Sequence, residues 1–214
     1  MRRPTLAVTL ALSVMPGPAR AEATGADATS RPAWTTAFYL DGYYQRDTSA
    51  FLVPTISLDR EPLHLEARYN YEAFDTGSLW AGWSFTFGDE ERSARLVPML
   101  GLVFGHLNGI APGLEIDARW GRLSYWLEAE YVVDFAGSSG NFLSTWSEAY
   151  VTVVPWLWAG ASVQRLRVAR SPREVDVGPM VGFGRQGAPG WSLSLYAYGL
   201  TGTPLWLATA AVQF

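Results

Sequence analysis

Two-residue alternation through the stretch 63–87, LHLEARYNYEAFDTGSLWAGWSFTF, constrains this chain more than any other feature. In its first limb Leu63, Leu65, Ala67, Tyr69, Tyr71 and Ala73 fall on one face, and His64, Glu66, Arg68, Asn70 and Glu72 on the other. Successive side chains of an extended chain point to opposite sides of a sheet, so the pattern specifies a β-strand with one greasy and one polar face. The Asp-Thr-Gly-Ser run at 75–78 has the composition of a turn. A second limb follows, in which Leu79, Ala81, Trp83, Phe85 and Phe87 alternate against Trp80, Gly82, Ser84 and Thr86. The stretch reads as one β-hairpin, and no helical period competes with it.

The same pattern recurs along the chain. Twelve segments follow Ala33, at 34–45, 50–59, 63–73, 79–87, 95–104, 114–121, 123–135, 142–154, 157–168, 175–185, 191–199 and 205–214. Each is close to the length that a tilted strand needs to cross a bilayer. Turn-forming runs separate them, including Arg-Glu-Pro at 60–62, Gly-Arg at 121–122, Ser-Ser-Gly-Asn at 138–141, Arg-Ser-Pro-Arg at 170–173 and Thr-Gly-Thr-Pro at 201–204. Leu65-Glu66-Ala67-Arg68-Tyr69 is echoed by Leu127-Glu128-Ala129-Glu130-Tyr131, which fits an array of like hairpins. An even number of strands returns both chain ends to one side. The predicted fold is all-β, a single transmembrane antiparallel up-and-down β-barrel of about 12 strands spanning 34–214. The segment 157–168 alternates less cleanly, and a β-bulge at 164–167 is expected to turn Arg165 and Arg167 inward.

Alternation alone leaves open which face is buried. Twelve strands enclose more space than an eight-stranded barrel that side chains just fill. The Ala- and Gly-containing faces are too slight to fill it, so the apolar faces are expected to point outward and the polar ones into a wet lumen. Aromatic residues fall near strand ends, at Trp34, Tyr44, Phe87, Trp120, Phe135, Trp156, Trp191, Trp206 and Phe214. Rings at those heights suit the two interfacial girdles of a membrane barrel. Composition agrees, with 49% hydrophobic and only 17% charged residues, yet no apolar run long enough for a spanning helix. Cysteine is absent, which excludes disulfides, thiolate metal sites and cysteine nucleophiles.

The first residues read as an address. Arg2 and Arg3 precede a short apolar run at 6–15, which Pro16, Gly17 and Pro18 end before the small-residue site Ala19-Arg20-Ala21. This is the layout of a secretory signal peptide over 1–21, cleaved near Ala21, with a flexible polar segment at 22–33. The formal charge of −4 becomes more negative once those arginines are removed, which argues against nucleic acid as a partner.

In the last strand Trp206, Ala208, Ala210, Val212 and Phe214 share a face, and the strand ends on an aromatic residue. This resembles the C-terminal signature of bacterial outer-membrane β-barrel proteins. The resemblance implies a place in the outer membrane of a Gram-negative envelope, contact with outer-membrane lipids, and recognition by the barrel-assembly machinery through the strand ending in Phe214. By strand count the chain looks like the small twelve-stranded channels for nucleosides or acidic oligosaccharides. The anionic sugar channels have basic walls, and the balance here is the opposite.

The expected pore-lining residues are Asp41, His64, Glu66, Arg68, Glu72, Arg95, Glu115, Asp117, Arg119, Glu128, Glu130, Asp134, Glu148 and Asp176. Acids outnumber bases among them, and an acidic wall favours cations over anions. The expected function is a small passive channel for cations or neutral polar solutes. The alternative is a non-conducting structural or envelope-assembly barrel, in which Arg68, Arg95 and Arg119 bridge carboxylates and plug the lumen. The longest connection, 105–113, is too short for an inward-folded constriction loop, so selectivity rests with the wall. Enzyme chemistry has little to work with. His64 and His106 are the two histidines, and the His106–Gly109 run HLNG is only faintly similar to the His motifs of outer-membrane acyl hydrolases and lacks their adjacent Ser. The pairs Glu115/Asp117 and Glu128/Glu130 offer oxygen ligands, but such spacing arises on any polar strand face. No metal or cofactor is expected.

Overall fold

The computed structural model describes residues 33–214, so the expected signal peptide at 1–21 and all but the last residue of the polar segment 22–33 lie outside the described residues. The strands are β1 (Thr35–Gln45), β2 (Phe51–Arg60), β3 (Leu63–Tyr69), β4 (Thr76–Trp83), β5 (Phe85–Gly88), β6 (Arg92–Gly105) and β7 (Gly109–Trp120). They continue as β8 (Leu123–Asp134), β9 (Phe142–Val154), β10 (Leu157–Val168), β11 (Glu174–Arg185), β12 (Gly190–Tyr198) and β13 (Leu205–Gln213). Apart from β4 and β5, each pairs antiparallel with its neighbour in sequence, and β13 returns to pair with β1, Ala37 opposite Gln213 and Gln45 opposite Leu205. Both β4 and β5 pair with β6, so they are two halves of one stave interrupted at Ser84, and the closed sheet has twelve staves. Closure leaves no unpaired sheet edge, the condition for backbone to lie in lipid.

The burial pattern is inverted relative to a water-soluble protein. Phe38, Leu52, Leu79, Leu100, Leu102, Val177 and Leu195 are exposed, whereas Asp41, Glu66, Arg68, Glu128 and Glu148 are buried. An apolar surface that encircles the molecule far exceeds what a soluble monomer tolerates and marks contact with a membrane. At the end bearing Thr35 and Gln213, Trp34, Phe87, Trp120, Trp156, Trp191 and Phe214 stand exposed. At the other end Trp206 faces outward opposite Tyr44, with Tyr69, Phe104 and Phe135 at a similar height. Turns on the Thr35 side, such as 61–62 and 121–122, are short, and those on the far side, such as 70–75 and 135–141, are longer.

Four local expectations are corrected. The run 75–78 is not the turn, because Thr76, Gly77 and Ser78 already pair with β3 and β6. The reversal lies at 70–75, where Asn70 (φ 59) and Asp75 (φ 53) adopt the left-handed backbone that Asn and Asp tolerate best. The Asn70 side-chain oxygen accepts from the Asp75 amide at 2.9 Å, which closes the turn. The connection expected at 105–113 shrinks to 106–108, since Ile110 and Ala111 continue the alternation as strand and the Asn108 side chain clamps Gly105. No bulge forms at 164–167. There β10 keeps unbroken register with β9, so Leu166 is buried and Arg165 and Arg167 stay exposed on the outside. They sit beside the 169–173 turn, at the membrane boundary where an outward arginine is tolerated.

The fourth correction concerns the interior, which is filled rather than wet. Trp80, Trp126, Trp146 and Trp158 point inward with Tyr43, Tyr71, Tyr150, Tyr196 and Tyr198. Inward glycines are their seats. A Cβ on Gly101 would stand 2.6 Å from the Trp80 indole, and one on Gly182 would stand 2.0 Å from Trp158 Nε1. The small residues that suggested empty space are the sockets for large ones on the neighbouring stave.

Candidate functional site: the lumen and its polar plug

Arg68 is the centre of the lumen. It projects from β3 because its position alternates with His64 and Glu66, and it is fully enclosed. Its Nε donates to Glu66 Oε2 at 2.6 Å and its Nη1 to Glu128 Oε1 at 2.7 Å, while Glu130 Oε2 lies 3.5 Å away. The guanidinium is also sandwiched by rings, 4.4 Å from the Tyr71 centroid and 4.6 Å from that of Trp80. Planar charge, five donors and two aromatic faces match what arginine offers and lysine does not.

The 70–75 turn completes the plug. With the backbone reversed at Asn70, Tyr71 and Glu72 swing into the barrel and are fully buried. The Tyr71 hydroxyl donates to Glu128 Oε1 at 2.7 Å, and Trp80 Nε1 to Glu72 Oε1 at 3.2 Å. Burial pushes the Glu72 carboxyl above its ordinary pKa, with Arg68 opposing the shift. The expectation that Tyr71 faces lipid is therefore corrected. Strand alternation was carried past Tyr69, where the strand ends.

A second layer is aromatic. Trp126 and Trp146 meet edge to face at 5.9 Å, and Trp146 meets Tyr196 at 5.6 Å in the same manner. The Trp146 indole is satisfied in a chain, its Nε1 donating to Ser162 Oγ at 2.7 Å and Ser162 Oγ lying 2.8 Å from the Tyr198 hydroxyl. Leu205 and Leu207 also face inward here. Glu148 sits among these rings, with Tyr196 and Asp41 as neighbours.

A third cluster lies nearer the Thr35 end. His64 Nδ1 is 2.8 Å from Asp59 Oδ1, and Arg95 Nη2 donates to the same oxygen at 2.5 Å. Glu115 approaches His64 from β7. The other expected wall residues are less enclosed. Asp117, Asp134 and Asp176 are half-buried, and Arg119 is exposed, bonding the Gly121 carbonyl rather than a carboxylate. His106 lies exposed in the 106–108 turn. Of the three arginines expected to bridge acids, Arg68 and Arg95 do so.

At the waist the staves present buried inward side chains, among them Asp41, Thr55, Arg68, Trp80, Met99, Glu115, Glu128, Trp146, Ser162, Met180, Tyr196 and Thr209, none more than 6% exposed. The described lumen is packed from wall to wall. Closed antiparallel staves, an apolar outer belt and a charged interior decide the class. The fold is that of a porin-like outer-membrane barrel.

Two solved porin structures share this fold, and a third is less similar. The porin-like barrel is similar to the KdgM porin, with a TM-score of 0.57 and 12% identity over 83% of this chain and 99% of that one. The KdgM porin in complex with disordered oligogalacturonate gives 0.58 and 13%, with the same coverage. The Acinetobacter baumannii outer membrane protein Omp33 follows at 0.46 and 10%, over 86% of this chain and 100% of that one. No protein-family model and no curated protein sequence matches the chain.

Trp80, Tyr196 and Tyr198 read by phase as facing the lumen, but the rest of the aromatic filling of the porin-like barrel escaped the sequence reading, although its signal was present. Trp126 is in step with Glu128 and Glu130, and Trp146 with Ser144 and Glu148. Any residue in phase with those carboxylates points the same way they do.

Proposed function

We propose that the protein is an outer-membrane channel that is closed at rest, admitting small cations or neutral polar solutes when the Arg68 plug loosens. The observation that carries this reading is the wall-to-wall burial at the waist, combined with an interior in which carboxylates outnumber guanidinium groups. The first rules out steady flow through the described conformation. The second sets the sign of whatever passes, since an acidic wall lowers the energy of cations. The apolar belt and its aromatic ends support a place among outer-membrane lipids, and the exposed terminal Phe214 supports delivery by the barrel-assembly machinery.

Planar-bilayer recording tests the reading. The wild-type chain is expected to show rare, small conductance steps with cation preference in a salt gradient, and Arg68→Ala to open far more often. The non-conducting structural barrel is the second reading, favoured by the same packing. Silence from both the wild-type and Arg68→Ala barrels, each shown to be inserted, would establish it instead.

A further inference from the structure

Below Arg68, toward the 61–62 turn, side chains from three staves converge. His64 and Glu66 alternate on β3, Asp59 is the cross-strand partner of His64 on β2, and Glu115 comes from β7. Asp59 is a carboxylate and can only accept, so its 2.8 Å contact makes His64 Nδ1 the donor and leaves the lone pair of the neutral ring on Nε2. That nitrogen lies 3.2 Å from Glu66 Oε1 and 4.0 Å from Glu115 Oε2, yet it makes no hydrogen bond among the described residues. Glu115 Oε1 is likewise without one. His64, Glu66 and Glu115 are each more than nine-tenths buried.

With the ring neutral, three acceptors face one another in a buried space, which either a second proton on His64 Nε2 or a metal cation must fill. Arg68 does not fill it, because it occupies the other oxygen of Glu66, Oε2, and leaves Oε1 for the site. Nor does Arg95, which bonds Asp59 and lies 3.5 Å from His64 Nδ1, the ring nitrogen that does not face the site. The ligand atoms of the three residues lie within 4.8 Å of one another. A tetrahedral ion with bonds of about 2.0–2.2 Å needs separations of about 3.3–3.6 Å. The His64–Glu66 pair, at 3.2 Å, is close to that spacing, and rotation of the Glu115 side chain, now 4.0 Å from Nε2, closes the remainder. Behind the imidazole, Asp59 repeats the carboxylate support that fixes tautomer and orientation in metal-bound histidines.

We propose that His64, Glu66 and Glu115 bind one first-row divalent ion of the Zn²⁺ type, with Asp59 as the positioning residue. A mixed nitrogen and oxygen set suits Zn²⁺, Co²⁺ or Ni²⁺, whereas Mg²⁺ and Ca²⁺ favour oxygen alone. Three protein ligands leave a fourth position for water or a solute. Access is from the Thr35 end, where the Asp59 and Arg95 side chains remain about one-third exposed. The site stands whether or not the barrel conducts.

The test is a calorimetric Zn²⁺ titration of the whole barrel, folded in detergent and carrying no polyhistidine tag. One saturable equivalent is expected, undisturbed by excess Mg²⁺. His64→Ala and Glu115→Gln are each expected to weaken binding by about tenfold or more, and Asp59→Asn by about 10–100-fold with stoichiometry retained. Co²⁺ provides a second readout, through visible absorption that is lost in His64→Ala. Heat-modifiable gel mobility shows that each variant is folded, and the isosteric Glu115→Gln keeps the test intact where His64→Ala does not fold. Absence of saturable Zn²⁺ binding to the folded wild-type barrel overturns the proposal. So does unchanged affinity in folded Glu115→Gln and Asp59→Asn, which returns His64 to the role of an imidazolium in an ion network.

Discussion

Arg68 shows how much of the interior depends on one side chain. Arg68→Met keeps most of the bulk but leaves Glu66 and Glu128 buried without their counter-charge, an arrangement that costs about 3–5 kcal/mol. Urea unfolding of the lipid-embedded barrel is expected to show that loss. Arg68→Met/Glu128→Gln is expected to recover part of it, because the two sites share one interaction. Equal losses in the single and double variants would deny Arg68 its central role. Gly101 offers an independent check on the packing. Gly101→Val drives a side chain into the Trp80 indole and is expected to cost about 1–3 kcal/mol by overpacking. Trp80→Leu in the same chain is expected to relieve the clash, and an unfolding midpoint that Gly101→Val leaves unmoved would show that the socket is not filled.

Among the elements, the 70–75 turn would give closure of the proposed channel a pH dependence. Glu72 holds its proton more tightly when buried in the plug than when withdrawn into water, so the inserted turn is favoured below the ordinary carboxylate range. Its advantage is lost as pH rises toward the elevated pKa. Channel openings are therefore expected to become more frequent with rising pH, and Glu72→Gln to flatten that dependence. An identical pH profile in the variant would remove Glu72 from the mechanism. The same turn marks the limit of what the sequence made legible. The bounds of Phe142–Val154 and Leu157–Val168 were legible residue for residue, because the turn-forming runs at 138–141 and 170–173 bracket the pair. The turn was not, since Asn70 reverses the chain within an apparently perfect alternation. In β10, Arg165 and Arg167 read as misplaced only until their height beside the membrane boundary was known. Of the site, the identity of the inward carboxylates was legible from phase. Their pairing with Arg68 was not, because Arg68 and Glu128 are sixty positions apart in the chain and meet only after closure.

For the molecule as a whole, closure rests on the seam between β1 and β13. Thr36 and Phe214 exchange two backbone hydrogen bonds of 3.1 and 2.9 Å at its end. Deletion of Phe214 removes both, along with an exposed ring, and is expected to lower the heat-modifiable folded fraction in membranes. Undiminished assembly would show that the seam tolerates a frayed end. The plug also bears on shape. A hollow tube in a fluid bilayer is free to flatten into an oval as the surrounding lipid presses on it. Here the guanidinium of Arg68 spans the bore as a chord between β3 and β8, and the Tyr71 ring braces the same carboxylate. Such a strut holds the cross-section round in thick and thin membranes alike, so the event that widens the passage is the same one that lets the wall deform.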